Sequence, residues 1–458
     1  MGCSMRFRLC VKDLDKSLDK LTYLHGGYIS HFVSKTRDVV KQSFQYLQGK
    51  LLEKGDGTMC SYAKNVPGCN NQSLTHFVSD SPWDHEPVLD HIQRDVTRYI
   101  GDRKNGVLHV DESCFPKQGR DSVGVQRQYC GRLGKVANCQ VGVFLGYNNG
   151  PYRTLIDERL YLPREWAGDR MRRTKGGVPD DVVFKTKVEL AWEMILHAKK
   201  NHVPFGWIGI DCFYGKDSWL RDQIEHGGMI YIADVRCDTL VWLECPEIRV
   251  PEREVGARGR IPTRRKAIGA DPIHVVDLKE RLEKRQWHRV FIRDTERREL
   301  WSNIATLRVF PVVDTLPGDE CWLVIRCDDE KDEVKYQLSN APRNTSLQRF
   351  AQMSGSRYWI ERAFEDGKGI AGLADYQVRG WTGWHHHMTM TLLAMLYILM
   401  LTMDLGEKAD FFTVQDVKEI LEVIMPKRTV TKQELLHLIL EKHKARLSAR
   451  RSHHRRNK

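Results

Sequence analysis

Residues Val107–Gly119 read VLHVDESCFPKQG: a strand expected over residues 107–111 runs into two adjacent carboxylates, Asp111 and Glu112, and the stretch stops at Pro116. Short β-rich runs bounded by a proline read as strands. Acidic residues after a strand are commonly solvated turn residues. They are also where ligands gather, because α/β sheets bind at the carboxyl ends of their strands. The flanking sequence has to decide between the two.

Downstream, Asn138–Tyr147 (NCQVGVFLGY) and Tyr152–Leu162 (YRTLIDERLYL) continue in β-type alternation. A helix is expected from Asp180 to about residue 200 (DDVVFKTKVELAWEMILHAKK), with acids in its first turn. The strand Pro204–Ile210 (PFGWIGI) then ends on Asp211, and a short helix and the strand Met229–Val235 follow. Three strands, a helix and a fourth strand ending in an acid is the order of a ribonuclease-H-like domain. In that architecture the first and fourth strands are neighbours, so Asp111 and Asp211 are expected to meet.

Residues 240–320 break the alternation and carry the basic run Arg249–Lys266 (RVPEREVGARGRIPTRRK), with seven basic residues against two acids and Arg264, Arg265 and Lys266 at its end. We read 240–320 as a β-rich inserted subdomain. The strands Cys321–Cys327 and Val334–Leu338 return to the main sheet, and a helix starting near Thr345 carries RYWIERAFEDGKG. Arg357, Glu361 and Lys368 stand at i, i+4 and i+11 on it, within one broad face at about 100° per residue. One acid between two bases suits a phosphate-bearing metal site, whereas Arg362, Glu365 and Asp366 are ordinary surface charges. Trp322, in a strand, is expected to be a core residue.

The 16-residue run Met388–Met403 (MTMTLLAMLYILMLTM) is short for a membrane span and reads as a core helix. Trp381 and Trp384 are expected to pin the turn before it, and His385–His387 to form its capped start. Residues 1–104 are mainly helical and polar, with a loop-like middle (KGDGTMCSYAKNVPGCNNQ). The expected organisation is therefore α/β: a small helical N-terminal module (1–104), to which the resemblance given below adds DNA binding, a ribonuclease-H-like core in two parts (105–239 and 321–405) around the insertion (240–320), and a helical, basic C-terminus (406–458).

The chain of 458 residues, 41% hydrophobic, is long enough for a large core. Its net charge of +12 is uneven, since residues 442–458 hold eight Lys/Arg and no acid. Such a tail seeks polyanions, nucleic acid first. The twelve cysteines are scattered and form no C-x-x-C pair, which reads as thiols in a reducing cytoplasm. Cys60, Cys69 and His76 match no zinc-module spacing, and no structural metal is expected. The N-terminus shows neither signal-peptide nor myristoylation features, so a cytoplasmic protein without membrane attachment is expected.

Four blocks resemble the insertion-sequence DDE transposases, specifically insertion-sequence family 701: SLTHFVSDSPWD, DESCFPKQGRDSVGVQRQYCGRLGKVANCQVGV, WIGIDCFYG and RYWIERAFEDGKGIAGLADYQVRGWTGWHHH. The resemblance covers nearly the whole chain. It implies Asp111, Asp211 and Glu361 as a catalytic triad that holds two Mg²⁺ ions, with Mn²⁺ able to substitute. It further implies cleavage of element ends and transfer of the 3′-hydroxyls to target DNA, by a homodimer on the DNA. The signature Tyr-x2-Arg-x3-Glu-x6-Lys falls on Arg357, Glu361 and Lys368, with Ser354 in the Tyr position. Glu112 is the runner-up for the first acid. Arg357 and Lys368 would contact phosphates beside the scissile bond. Arg170, Arg172, Arg173 and Lys175, expected in a loop after the third strand, would grip the DNA backbone together with Arg264, Arg265 and Lys266.

Overall fold

The computed structural model of the chain describes residues 6–52, 57–252, 263–295, 298–328, 333–375 and 377–456. Five helices come first: α1 (Val11–Tyr28), α2 (Val40–Leu52), α3 (Met59–Asn65), α4 (Asn71–Ser79) and α5 (His85–Ile100). Helix α3 lies inside the segment expected to be a loop. Its N-cap Thr58 accepts from Ser61 N, a local signal that the Gly and Pro residues around it obscure.

The sheet follows with β1 (Val107–Pro116), β2 (Gln126–Cys130), β3 (Lys135–Asn149) and β4 (Tyr152–Leu160). Helices α6 (Arg164–Gly168), α7 (Arg170–Gly176) and α8 (Lys187–Lys200) lead to β5 (Trp207–Ile210), α9 (Cys212–Gly215), α10 (Ser218–His226) and β6 (Tyr231–Val235). Strands β1 and β5 pair in parallel, β5 and β6 in parallel, and β3 lies antiparallel between β1 and β4. The order β4-β3-β1-β5-β6 is consistent with a ribonuclease-H-like core. Helix α8 starts at Lys187, not at Asp180, because Thr186 and Glu189 form a reciprocal capping box there.

Beyond β6 the chain adds β7 (Leu240–Trp242), β8 (Glu247–Arg249), β9 (Lys266–Ile268), β10 (Ile273–His274), α11 (Val275–Arg281), β11 (His288–Asp294), β12 (Glu299–Val313) and β13 (Leu316–Pro317). Then come β14 (Cys321–Asp328) and β15 (Glu333–Ser339). Strand β15 pairs antiparallel with β6, and β14 joins β15 to β12, so one mixed 13-stranded sheet runs from the core into this region. Of the basic run 249–266, residues 253–262 lie outside the described residues.

Helices α12 (Leu347–Ser356) and α13 (Tyr358–Gly369) cover one face of the sheet, followed by α14 (Trp381–Gly406), α15 (Val414–Ile424) and α16 (Lys432–Arg456). Trp322 lies under α12, its ring 5.4 Å from that of Phe350. Helix α14 is apolar around its whole circumference and long enough by composition to cross a membrane. It is, however, buried against α1, α2, α4, α5 and β4, as a helix apolar on all sides is in a protein core. The N-terminal helices therefore share one continuous core with the sheet. The histidine triplet does not start α14, which begins at Trp381 after Gly380, but lies buried inside its first two turns. His385 Nδ1 lies 2.6 Å from Glu158 Oε1, His386 lies against the Val78 and Trp83 carbonyls, and His387 Nδ1 meets the Tyr46 hydroxyl at 2.8 Å. Trp384 donates to Glu158 Oε2 at 2.8 Å and sits edge-on to Phe115.

Several buried histidines make the helical end sensitive to acid, and His25 is one of them. His25 is enclosed by Phe32 and Phe44 and bonds Ser43 through Nε2 at 2.7 Å. Burial lowers its pKa to about 4. A histidine whose folded pKa lies below its unfolded value favours folding above the unfolded pKa, and that contribution is lost as pH falls through about 6 toward 4. We expect His25 to contribute up to about 3 kcal/mol of the stability lost in denaturant unfolding over this window. A His25→Phe variant should show a flatter profile; an equally steep one would assign the acid sensitivity elsewhere.

Candidate active site

Strand β1 does not end at Asp111. It continues to Pro116 because β3 pairs with it throughout, from Val107↔Asn148 to Pro116↔Cys139. Its parallel partner β5 stops sooner, at Val110↔Ile210. Asp111 and Asp211 are thus the next residues on two neighbouring parallel strands, at the point where their ladder opens.

Each aspartate commits one oxygen to the backbone. Asp111 Oδ1 accepts from Glu112 N at 2.7 Å, and Asp211, the N-cap of α9, accepts through Oδ1 from Phe213 N and Tyr214 N at 2.9 and 3.0 Å. The Oδ2 atoms share a third party: Arg357 Nη2 stands 3.8 Å from Asp111 Oδ2 and 3.9 Å from Asp211 Oδ2. Arg357 Nη1 also pairs at 3.0 Å with Asp234 Oδ2 on β6, whose Oδ1 accepts from Gln337 Nε2 at 2.6 Å. Three aspartates on three adjacent strands therefore surround one guanidinium.

The electrostatics follow from this enclosure. Burial pushes the Asp111 carboxyl up to about 7, even though Arg357 pulls it down. Burial also works against the Arg357 charge, but Asp111, Asp234 and Asp211 outweigh it and hold the guanidinium above its usual range. His109, two residues before Asp111 on the same face, bonds Asn148 Oδ1 through Nε2 at 2.8 Å, and burial lowers its pKa to about 4.

Packing of α13 sets Arg357 in place. Phe364 meets Phe144, the β3 partner of Asp111, edge-on at 5.5 Å. Ile360 fills the space over Gly146, where a Cβ would stand 2.3 Å from Ile360 Cδ1. Arg357, at the junction of α12 and α13, then reaches the strand ends. Lys368, at the other end of α13, is partly buried with Asp111 among the charges around it. Burial, with Arg132 adding to it, lowers its pKa.

Glu361 is placed differently. It is exposed and lines a groove of about 510 Å³ with Arg293, Arg298, Trp301, Arg326 and Lys335. Among the described residues, Asp111, Asp211 and Glu361 do not bring their oxygens within 4.8 Å of one another as a group. Helix α13 thus presents a base, not its acid, to the two aspartates. Glu112 points to the opposite face of β1 and pairs with Lys187 of α8 at 2.7 Å. Ser354 is buried and accepts from Arg326 Nη1 at 3.3 Å.

The expected backbone grips divide. Residues 170–175 form helix α7, capped by Asp169, rather than a loop. Arg173 donates to the carbonyls of Ala167, Pro179, Asp180 and Val182. Arg172 stacks on Trp166 at 4.0 Å and reaches the Arg120 and Val125 carbonyls. Both half-buried guanidiniums are therefore engaged within the fold. Lys175 is exposed and pairs with Asp121 at 2.7 Å, while Arg264, Arg265 and Lys266 are exposed.

Asp234 was missed, although its strand, YIADV, places an acid near the end of an apolar run just as the first and fourth strands do. Gly215 holds α9 against that strand: a Cβ there would stand 2.1 Å from the Asp234 carbonyl oxygen. A Gly215→Ala variant should lose about 1–3 kcal/mol in denaturant unfolding. Unchanged stability would show that α9 can shift away from β6 freely.

Comparison with known proteins bears on these acids. A protein named "Probable transposase for insertion sequence element IS701", from Microchaete diplosiphon, is 31% identical over 205 residues, 44% of this chain and 50% of that protein. The chain spans about half the length of this curated relative. The sequence pattern of the family described as "DDE superfamily endonuclease" matches residues 32–299. The match takes in Asp111, Asp211 and Asp234 and ends before Glu361. With more than half of the chain covered, and with paired aspartates at the open end of a parallel ladder, the protein belongs to the DDE superfamily endonucleases.

Proposed function

We propose that the protein is a DNA transposase that cleaves the ends of its insertion sequence and transfers the 3′-hydroxyl ends to target DNA. The observation that carries this reading is the convergence of Asp111 Oδ2 and Asp211 Oδ2 on a single cation, Arg357. The donor set fits a hard divalent ion, since two carboxylate oxygens with no backbone bond face one space occupied by positive charge. Mg²⁺, with Mn²⁺ as a substitute, would be held by Asp111 and Asp211; the signature position makes Glu361 the third acid, which would have to turn in from the groove it lines. When bound, a pair of such ions activates the attacking oxygen and stabilises the leaving one in an in-line displacement.

The chain's own residues perform the rest. Capping by Asp211 and the Glu112 N–H fix the two carboxylates before any ion arrives. Arg357, oriented by Asp234, can offer its guanidinium to a phosphate as the aspartates take an ion, and Lys368 adds a point charge on the Asp111 side. The proposed organisation is a DNA-binding helical segment (1–104), a core in two parts (105–239 and 321–405), a β-rich insertion (240–320) and a basic C-terminal region (406–458), acting in the cytoplasm as a homodimer on DNA.

Arg264, Arg265 and Lys266 supply salt-dependent affinity in this reading. Replacing all three with alanine should weaken duplex binding across sequences and lower the salt slope by about 1 for each phosphate no longer neutralised. The function itself is tested with labelled duplex carrying the DNA that flanks the gene, in Mg²⁺, with a second duplex as target. Cleavage together with joined product supports a transposase. Cleavage that never yields joined product indicates a nuclease, and tight binding without cleavage indicates a DNA-binding protein.

A further inference from the structure

Cysteine spacing along the chain suggested no metal module, but the sheet brings together three thiols that the sequence separates. Cys114 near the end of β1, Cys130 at the end of β2 and Cys139 on β3 place their Sγ atoms within 4.8 Å of one another. All three are buried, Cys130 and Cys139 completely, in a small cluster with Val141, Ala137 and Tyr161. Strand β3 pairs with β1 and β2 on its two sides, with Cys114 opposite Val141 and Cys130 opposite Lys135. The end of β2 also reaches β1 directly, since Cys114 Sγ donates to the Tyr129 carbonyl at 3.8 Å, which brings Cys130 to the other two thiols.

We propose that Cys114, Cys130 and Cys139 form a three-sulfur site for a thiophilic d¹⁰ cation, best matched by copper(I). Thiolates select Cu(I) and Zn²⁺ over hard ions. Structural zinc takes four protein ligands, and among the described residues no fourth His, Cys, Asp or Glu joins this group. Three thiolates with one monovalent ion leave two buried negative charges. Lys187, which also pairs with Glu112, and Lys368 are among the cations near the cluster. Each thiol releases its proton to solvent on binding, and no oxidation is involved. The ion would tie β2 and β3 to the part of β1 just beyond Asp111, so it would stiffen the strand that carries the first acid without belonging to the Asp111–Asp211 site.

The test uses the full chain with Cys3 and the exposed Cys10, Cys60, Cys237 and Cys245 replaced by serine, which removes competing surface thiols. Cu⁺ is added anaerobically and the protein is passed through a desalting column with a competing chelator. One equivalent should remain, copper K-edge absorption should report three sulfur neighbours, and the thermal midpoint should rise. Cys130→Ala and Cys139→Ala, small apolar replacements in an apolar cluster, should each abolish retention while their far-ultraviolet circular dichroism stays that of the parent. Asp211→Asn should retain copper fully. Failure to hold copper, or equal retention by folded Cys130→Ala protein, overturns the proposal.

Discussion

Asp111→Asn and Asp211→Asn should each reduce Mg²⁺-dependent cleavage of a labelled duplex by about 10³-fold or more, at least about 4 kcal/mol of barrier, while the folded protein still binds DNA. Asparagine is the informative replacement because it separates two jobs. Asp211 Oδ1 caps α9 through Phe213 N and Tyr214 N, and an amide oxygen can keep both bonds. Alanine would remove the cap and about 0.5–2 kcal/mol with it. At Asp111 the amide can likewise accept from Glu112 N, and it replaces a carboxylate that burial disfavours. Metal-free Asp111→Asn should therefore be no less stable than the parent in urea titrations, because an unfavourably desolvated charge has gone. Activity and stability should move independently. A variant that cleaves normally removes its aspartate from the ion site, and one that loses activity only by unfolding leaves the assignment unsupported.

The third acid calls for a paired comparison. Glu361 sits at the signature position but is exposed on the groove side of α13, whereas Asp234 lies inside the aspartate cluster with both oxygens engaged. If Glu361 is the triad acid, Glu361→Gln abolishes cleavage with unchanged stability, and Asp234→Asn acts mainly by loosening Arg357.

What was legible in the sequence, and what was not, follows from the range of the interactions. Asp111 and Asp211 could be found because acids at the ends of apolar runs stand out locally, and the order of strands and helix puts those runs side by side. That β1 outruns β5 could not be read, because its continuation depends on pairing with β3 about thirty residues later. The start of α8 is obscured for a local reason: Asp180 and Asp181 imitate an acidic first turn, while the capping pair Thr186 and Glu189 begins the helix. Angles alone do not define the face of α13. Arg357 belongs to a helix junction, so the spacing that groups it with Glu361 did not show which of them turns inward. The thiol cluster draws on three strands, and no linear spacing rule describes it.

Removing the guanidinium should have the largest effect on stability. Arg357→Ala leaves Asp111, Asp211 and Asp234 facing one another without their shared cation. Breaking a buried ion pair by deleting one partner costs about 3–5 kcal/mol, because the remaining charge is left unpaired. Measured in chelator, Arg357→Ala should unfold at markedly lower denaturant concentration than the parent. Mg²⁺ should then restore part of the difference, since an ion that binds only the folded state stabilises it in proportion to the logarithm of its concentration over Kd. The parent should gain less from the same Mg²⁺, because there the ion has to displace or share space with Arg357. That difference in metal response separates a cation site from a purely structural salt bridge. A structural bridge predicts the same loss in chelator and no selective recovery with Mg²⁺. Arg357→Lys, which keeps one positive charge but loses the planar fork that reaches three carboxylates, should fall between the two in chelator and respond to Mg²⁺ in proportion to what it lost.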